Sequence, residues 1–169
     1  MIITKGGLLK EYPIIELGGG AGPKYHPNFD AMPGPDVDVI YDLRKGIPLP
    51  DSSVGEIYSG DFYEHLTFEE GLALLKQCKR VLKPGGFISF VIPDIVGNVR
   101  VHPELDPTIQ SLLYGTRRHE FDVHKMWYTP ELMRYILVHE GWEVIDIEHY
   151  EGAHMKFLVR AKCKIKASG

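Results

Sequence analysis

The sequence predicts an α/β domain with a mainly parallel sheet, an antiparallel edge strand and a first helix that is reduced or missing. Three observations predict it. Short apolar runs alternate with amphipathic stretches. A glycine cluster, Gly18-Gly19-Gly20-Ala21-Gly22, follows directly on the first apolar run. Gly and Pro punctuate most junctions between segments.

The first strand is Tyr12-Pro13-Ile14-Ile15-Glu16-Leu17, short and partly β-branched. Residues 23–27 read as a loop, and Asn28-Phe29-Asp30 as a very short strand. Pro33-Gly34-Pro35 breaks the chain again, and residues 37–42 alternate like a strand. A turn over 47–51 leads to a further strand at 56–59. Thr67 and Glu70 then form the Thr-x-x-Glu signature of a helix start. Leu72, Leu75, Cys78, Lys79 and Leu82 recur at helical spacing, and Lys83-Pro84-Gly85-Gly86 ends the helix. The continuous apolar run at 87–92 suits a strand covered on both faces.

From Gly97 to Tyr128 the pattern is poor, apart from a short helix expected over 107–114. Order returns at Thr129-Pro130, a cap followed by proline at the first helical position. That helix carries Leu132, Ile136 and Leu137 and stops at Gly141. Two strands, 142–147 and 156–161, close the chain, with Gly152 in the turn that makes them antiparallel.

A chain of 169 residues suits one domain spanning 1–169. Its net charge of -4 argues against a general nucleic-acid binder, which needs a basic footprint. The two cysteines, Cys78 and Cys163, have no metal-ligand spacing and read as plain thiols of a reducing compartment. Residues 1–7 lack a signal-peptide layout, and no apolar run approaches the roughly 20 residues of a membrane span. A cytoplasmic location with no membrane partner is therefore expected.

In an open α/β sheet, ligands bind beyond the carboxyl ends of the strands, where glycines let a ligand approach the backbone. The loop here lacks the Gly-x-Gly-x-x-Gly of dinucleotide folds, because its third glycine comes one position early. It also lacks the Gly-Lys-Ser/Thr of a P-loop. The pattern Glu16-x-Gly18-x-Gly20-x-Gly22 resembles motif I of the class I SAM-dependent methyltransferases (SAM, S-adenosylmethionine).

The resemblance continues downstream. Asp30 falls where these enzymes place an acid after the second strand. Asp42-Leu43 with residues 47–53 is similar to their "D-L...lPf-pD-sf" segment. The 56–59 strand leading to Glu64-His65-Leu66 resembles their fourth strand and "EHl". Residues 78–86 resemble their "RvLKPGG" turn. The motifs cover about residues 13 to 94, and the chain most resembles a short, predicted-methyltransferase branch. The implied fold is the Rossmann-like class I methyltransferase fold. One feature departs from it: no room exists for the usual first helix between Gly22 and Asp30, where Pro27 also intervenes. The second strand is then either vestigial or reached by a tight loop, and the site is more open than usual.

The resemblance implies SAM as the cofactor and assigns roles residue by residue. Gly18, Gly20 and Gly22 approach the amino-acid tail and ribose, with Glu16 shaping the loop or accepting from the ammonium. Asp30 takes the ribose hydroxyls, and Asp42 and Leu43 the adenine. Asp61 and Phe62 stand where cofactor and substrate meet. His65 is the first candidate general base, with His124 the second catalytic candidate. Tyr63, Asp94, His119 and Tyr128 are the acceptor-side candidates, and Arg117 or Arg118 can pair with an anionic acceptor.

No metal is expected, since a set of His119, Asp122 and His124 matches no standard spacing. The leading expectation is methyl transfer to a small-molecule or sugar-like acceptor. A non-catalytic SAM-fold binding or regulatory module is the alternative. A nicotinamide oxidoreductase fits the sheet but not the glycine spacing.

Overall fold

The structure, a computed structural model, describes residues 11–101, 104, 106–150 and 155–163. Its strands are β1 (Tyr12–Leu17), β2 (Asn28–Asp30), β3 (Val39–Ile40), β4 (Val54–Gly60), β5 (Leu82–Pro93), β6 (Trp142–Tyr150) and β7 (Lys156–Cys163). They form one sheet in the order β3-β2-β1-β4-β5-β7-β6. Pairing is parallel from β3 through β5. β7 runs antiparallel to both β5 and β6, so the pairing at the β6 edge is antiparallel, as the sequence implies. The chain steps outward from β1 to β3 and then returns to β4 on the other side of β1. That reversal creates a switch point at the ends of β1 and β4, where open α/β sheets place ligands.

Among the described residues four α-helices accompany the sheet: α1 (Phe68–Val81), α2 (Ile95–Val101), α3 (Pro107–Tyr114) and α4 (Pro130–His139). α1 starts at the expected capping box, with Glu70 N donating to Thr67 Oγ1 and Thr67 N donating to Glu70 Oε2. α4 is capped by Thr129, whose hydroxyl accepts from Leu132 N. α2 lies in the stretch whose pattern is too poor to read from the sequence. Its start is fixed instead by Asp94, whose carboxylate accepts from Gly97 N.

Strand alternation sends Ile15, Ile57, Ile88, Phe90, Ile92, Phe157, Val159 and Ala161 to one face. These side chains are fully buried, and Leu75, Cys78 and Val81 of α1 and Met133 and Leu137 of α4 join the same core. Each such large side chain contributes roughly 1.5–3 kcal/mol by leaving water. The opposite face carries the registered row Glu16, Tyr58, Ser89, Arg160 and Asp146. Arg160 pairs there with Asp146 at 2.7 Å and Glu148 at 2.7 Å.

No helix joins β1 to β2 or β2 to β3. A tight loop, residues 18–27, makes the first crossing, as the missing room for a helix requires. Only Val39 and Ile40 of the expected 37–42 strand pair with β2. Residues 83–86 are not a loop before β5 but a bulge within it: Leu82 pairs with Val54, and Phe87 with Glu56. Consequently Leu82, expected on the helix, belongs to the strand. Gly152, the expected turn residue, lies outside the described residues, as does the side chain of Cys163.

Candidate active site

The glycine loop keeps its shape through side chains that bond its backbone. Glu16 is buried, and its Oε2 accepts from the amides of Lys24 and Tyr25 at 2.6 Å each. Burial raises its pKa, and these two bonds partly offset that rise. Asn28 accepts from Gly19 N and donates to the carbonyls of Gly20 and Asp36. Asp30 Oδ2 accepts from Gly20 N at 3.0 Å, and its Oδ1 from Met32 N at 2.8 Å. Tyr25 then rests edge-on against Tyr58, with ring centroids 5.2 Å apart. Hydrogen bonds from short polar side chains thus replace the absent helix.

A cleft of about 430 Å³ opens at the ends of β1, β2 and β4, within the size range of small-molecule sites. Gly18, Gly20, Asp30, Asp42, Leu43, Asp61 and Phe62 line it. At Gly18 the backbone is left-handed (φ 72°), and a Cβ would sit 2.2 Å from Phe62 Cγ. Only glycine therefore lets the Phe62 ring close over the tip of β1. At Gly20 a Cβ meets nothing within 4 Å, so the open approach to the backbone is there.

Asp42 caps the 3₁₀ turn Leu43–Lys45 and holds Arg44 in a two-point pair, at 2.8 and 2.9 Å. The guanidinium of Arg44 also lies 4.7 Å from the centre of the Phe121 ring. Asp61 adopts φ 50° at the end of β4, unusual for a residue other than glycine, and pairs with Lys156 at 2.5 Å.

The far wall comes from residues 118–125, including Arg118, His119, Phe121, Asp122 and Lys125. The carbonyl of Glu64 pins this segment by accepting from Lys125 N and Met126 N. His65 lines the cleft, and its ring meets His124 edge-on at 4.7 Å. Burial lowers the pKa of both imidazoles, and His124 lowers that of His65 further. Burial opposes the charge on Asp122, but hydrogen bonds from Thr116 and Arg118 outweigh it and hold the carboxyl below the usual carboxylate range.

Several residues read from the sequence fall elsewhere. Glu16 does not face the cleft, because its carboxylate is spent on the loop. Gly22 lies outside the lining, and His124 stands behind His65. Three acceptor-side expectations are corrected. Tyr63 and Tyr128 are buried at 1% exposure and stack on each other, 5.4 Å apart, as core. Asp94 is buried as the cap of α2. Sequence reasoning missed Met32, Val37, Arg44, Phe121 and Lys125 as lining residues. The Asp42-x-Arg44 spacing was the one available signal among them.

A family profile described as a methyltransferase domain matches residues 31–90. No curated protein sequence matches the chain. Among solved structures, an S-adenosylmethionine-dependent methyltransferase from Mesorhizobium loti superposes with TM-score 0.61 at 19% identity, covering 88% of this chain and 90% of its own. A SAM-dependent methyltransferase from Methanosarcina mazei gives 0.64 at 15% identity, covering 91% and 93%. The 1,6-didemethyltoxoflavin-N1-methyltransferase of Burkholderia thailandensis, solved with bound 1,6-didemethyltoxoflavin and S-adenosylhomocysteine, gives 0.62 at 10% identity, covering 89% and 71%. At such identities the likeness is one of fold. The chain has the fold of the class I SAM-dependent methyltransferases, and its middle third matches a methyltransferase-domain profile.

Proposed function

We propose that the chain, acting as one domain, binds SAM in this cleft and transfers its methyl group to a small-molecule or sugar-like acceptor. One observation carries the reading: Gly18, Gly20, Asp30, Asp42, Leu43, Asp61 and Phe62, drawn from separate strand ends, line a single cleft. Asp30 already orders the loop through Gly20 N, and its remaining lone pairs suit a ribose diol. Leu43 offers an apolar surface for a base, and Asp42 an acceptor for its amine. Asp61 and the Phe62 ring favour a cationic sulfonium nearby.

Methyl transfer is an in-line displacement, so most of the work is positioning. The acceptor nucleophile forms its bond to the methyl carbon as the carbon–sulfur bond breaks, and S-adenosylhomocysteine leaves. His65, kept neutral by burial, is placed to take the proton of a hydroxyl or amine acceptor. Arg118 and Lys125 lie on the same wall, each paired with a carboxylate, Asp122 and Glu70, that an anionic acceptor group would have to displace. No helix among the described residues is long and apolar enough to cross a membrane.

Calorimetry with SAM and S-adenosylhomocysteine tests the reading. We expect both to bind, and Asp30→Ala to weaken them by about tenfold or more, the worth of a charged hydrogen bond. Absence of heat with either ligand overturns it. The non-catalytic module is favoured by one feature, the helix-free loop that leaves Gly20 open. It predicts binding without S-adenosylhomocysteine formation on any acceptor panel. Turnover that falls on the order of a hundredfold or more in His65→Ala removes it.

A further inference from the structure

Beside the cleft lies a cluster that SAM binding does not explain. Glu64 is 2% exposed, and neither of its carboxylate oxygens has a hydrogen-bond partner. One ligand atom each from Glu64, His65 and His124 lie within 4.8 Å of one another. Among the described residues, no other group of three metal-ligating side chains comes together this way.

The tautomers of the two imidazoles follow from their partners. His65 Nδ1 lies 3.2 Å from the Val123 carbonyl, and His124 Nδ1 lies 2.6 Å from the Leu112 carbonyl. A carbonyl only accepts, so each Nδ1 carries the hydrogen and each Nε2 keeps a bare lone pair. Ligand imidazoles in metal sites are oriented in the same way, through the ring nitrogen that the metal does not use. The cluster therefore sets the unpartnered Glu64 carboxyl beside two imidazole acceptor nitrogens, and burial favours the protonated carboxyl where no cation takes the proton's place. Isolated charge in such a place costs several kcal/mol unless a cation or a proton compensates it.

We propose that Glu64, His65 and His124 bind a divalent metal ion of the zinc type at the acceptor end of the cleft. Two imidazole nitrogens and one carboxylate oxygen are a known donor set for catalytic zinc, which leaves a further position open. Metal bonds of about 2.0–2.2 Å require the ligand atoms to draw in to about 3.5 Å. The side chains of His65 and His124 are half-buried, so the three groups must shift inward when an ion binds. His65 also lines the cleft and is the ligand that joins the site to it. An acceptor oxygen bound there loses its proton more readily. The ion and the general-base role compete for the same lone pair on His65 Nε2. Metal binding itself does not depend on the SAM reading; only its place at the acceptor end does.

The test uses the full chain, stripped with chelator and titrated with cobalt(II) and then zinc(II), without SAM or acceptor. We expect one ion per chain, with visible cobalt bands that zinc abolishes. Imidazole nitrogen resonances of His65 and His124 should shift on zinc addition in the wild type, which locates the ion without any variant. Glu64→Gln and His124→Ala, checked for folding by circular dichroism, should each bind at least tenfold more weakly. His139→Ala, on α4, should bind as the wild type does. The proposal is overturned if the folded wild type takes up no stoichiometric ion, in which case a shared proton occupies the cluster. Shifts confined to other histidines, or affinities unchanged in folded Glu64→Gln and His124→Ala, overturn it equally. SAM binding in calorimetry is unaffected by any of these outcomes, so the two readings fail separately.

Discussion

The two halves of the sheet are built by different means. On the β4-β5-β7-β6 side, α1 and α4 bury apolar side chains against strand residues such as Ile57, Phe90 and Val159. On the β3-β2-β1 side no helix makes the crossings, and the chain is held by directed bonds from Glu16, Asn28 and Asp30 to loop backbone. Asp38 adds another, accepting from Asn28 N at 2.8 Å. Apolar volume is non-directional and sets stability, whereas a hydrogen-bonded loop sets where backbone groups point. The difference teaches that the ligand-facing half trades core for geometry. Substitutions on the two sides should accordingly fail in different assays.

The largest expected effect is on the helical side. Phe90 is fully buried and packs on Tyr63 with ring centroids 5.0 Å apart. Phe90→Ala should cost about 3–5 kcal/mol, read as a fall in denaturant midpoint, with SAM affinity little changed while the protein stays folded. A loss of affinity in parallel with stability would break the separation. Next is Asn28→Ala on the loop side. It removes the acceptor for Gly19 N and the donor to two carbonyls, partly exposed groups that solvent can meet, at about 0.5–1.5 kcal/mol per bond. We expect SAM binding, measured by calorimetry, to drop by about tenfold or more, with a smaller change in the denaturant midpoint than Phe90→Ala gives. Unchanged affinity would mean that the loop holds its shape without Asn28.

Much of this contrast is legible in the sequence. Periodicity gives α1 and α4, because their caps and apolar stripes are local features read within one segment. The lack of room between Gly22 and Asp30 gives the helix-free crossing. The glycine loop, Asp30, Asp42 and Leu43 are legible because strand ends and glycines announce themselves. Tyr63 and Tyr128 are not, since which way an aromatic turns after a strand depends on packing against Phe90 and on each other. Asp94 reads as a cleft residue until α2, which it caps, is known. The Glu64, His65 and His124 cluster joins positions about sixty residues apart and is set by the folding back of residues 117–126, which carry no period. No local pattern could announce it.

Smaller effects sharpen the comparison. Thr67→Ala removes the hydroxyl half of the α1 capping box and should lower stability by about 1 kcal/mol, with no change in ligand affinity. Thermal melts that fail to separate it from the wild type would assign the start of α1 to tertiary packing alone.

The smallest concerns Asp42, where the loop side meets solvent. The hydrogen bonds from Arg44 hold its carboxyl below the ordinary value of 3.8. A carboxyl depressed in the folded state adds stability that is fully present above its unfolded pKa and is lost as pH falls through the folded one. The contribution is therefore constant at neutral pH and disappears only below about pH 4. Because the pair is partly exposed, solvent screens it and its effect on stability is slight. Carbon NMR of the Asp42 carboxyl is the sensitive measurement. Its midpoint should lie below 3.8 in the wild type and return towards that value in Arg44→Gln. Should the two midpoints coincide, Arg44 is not what orders Asp42. The Asp42 end of the cleft would then be held by the backbone of the 3₁₀ turn instead of by a charged pair.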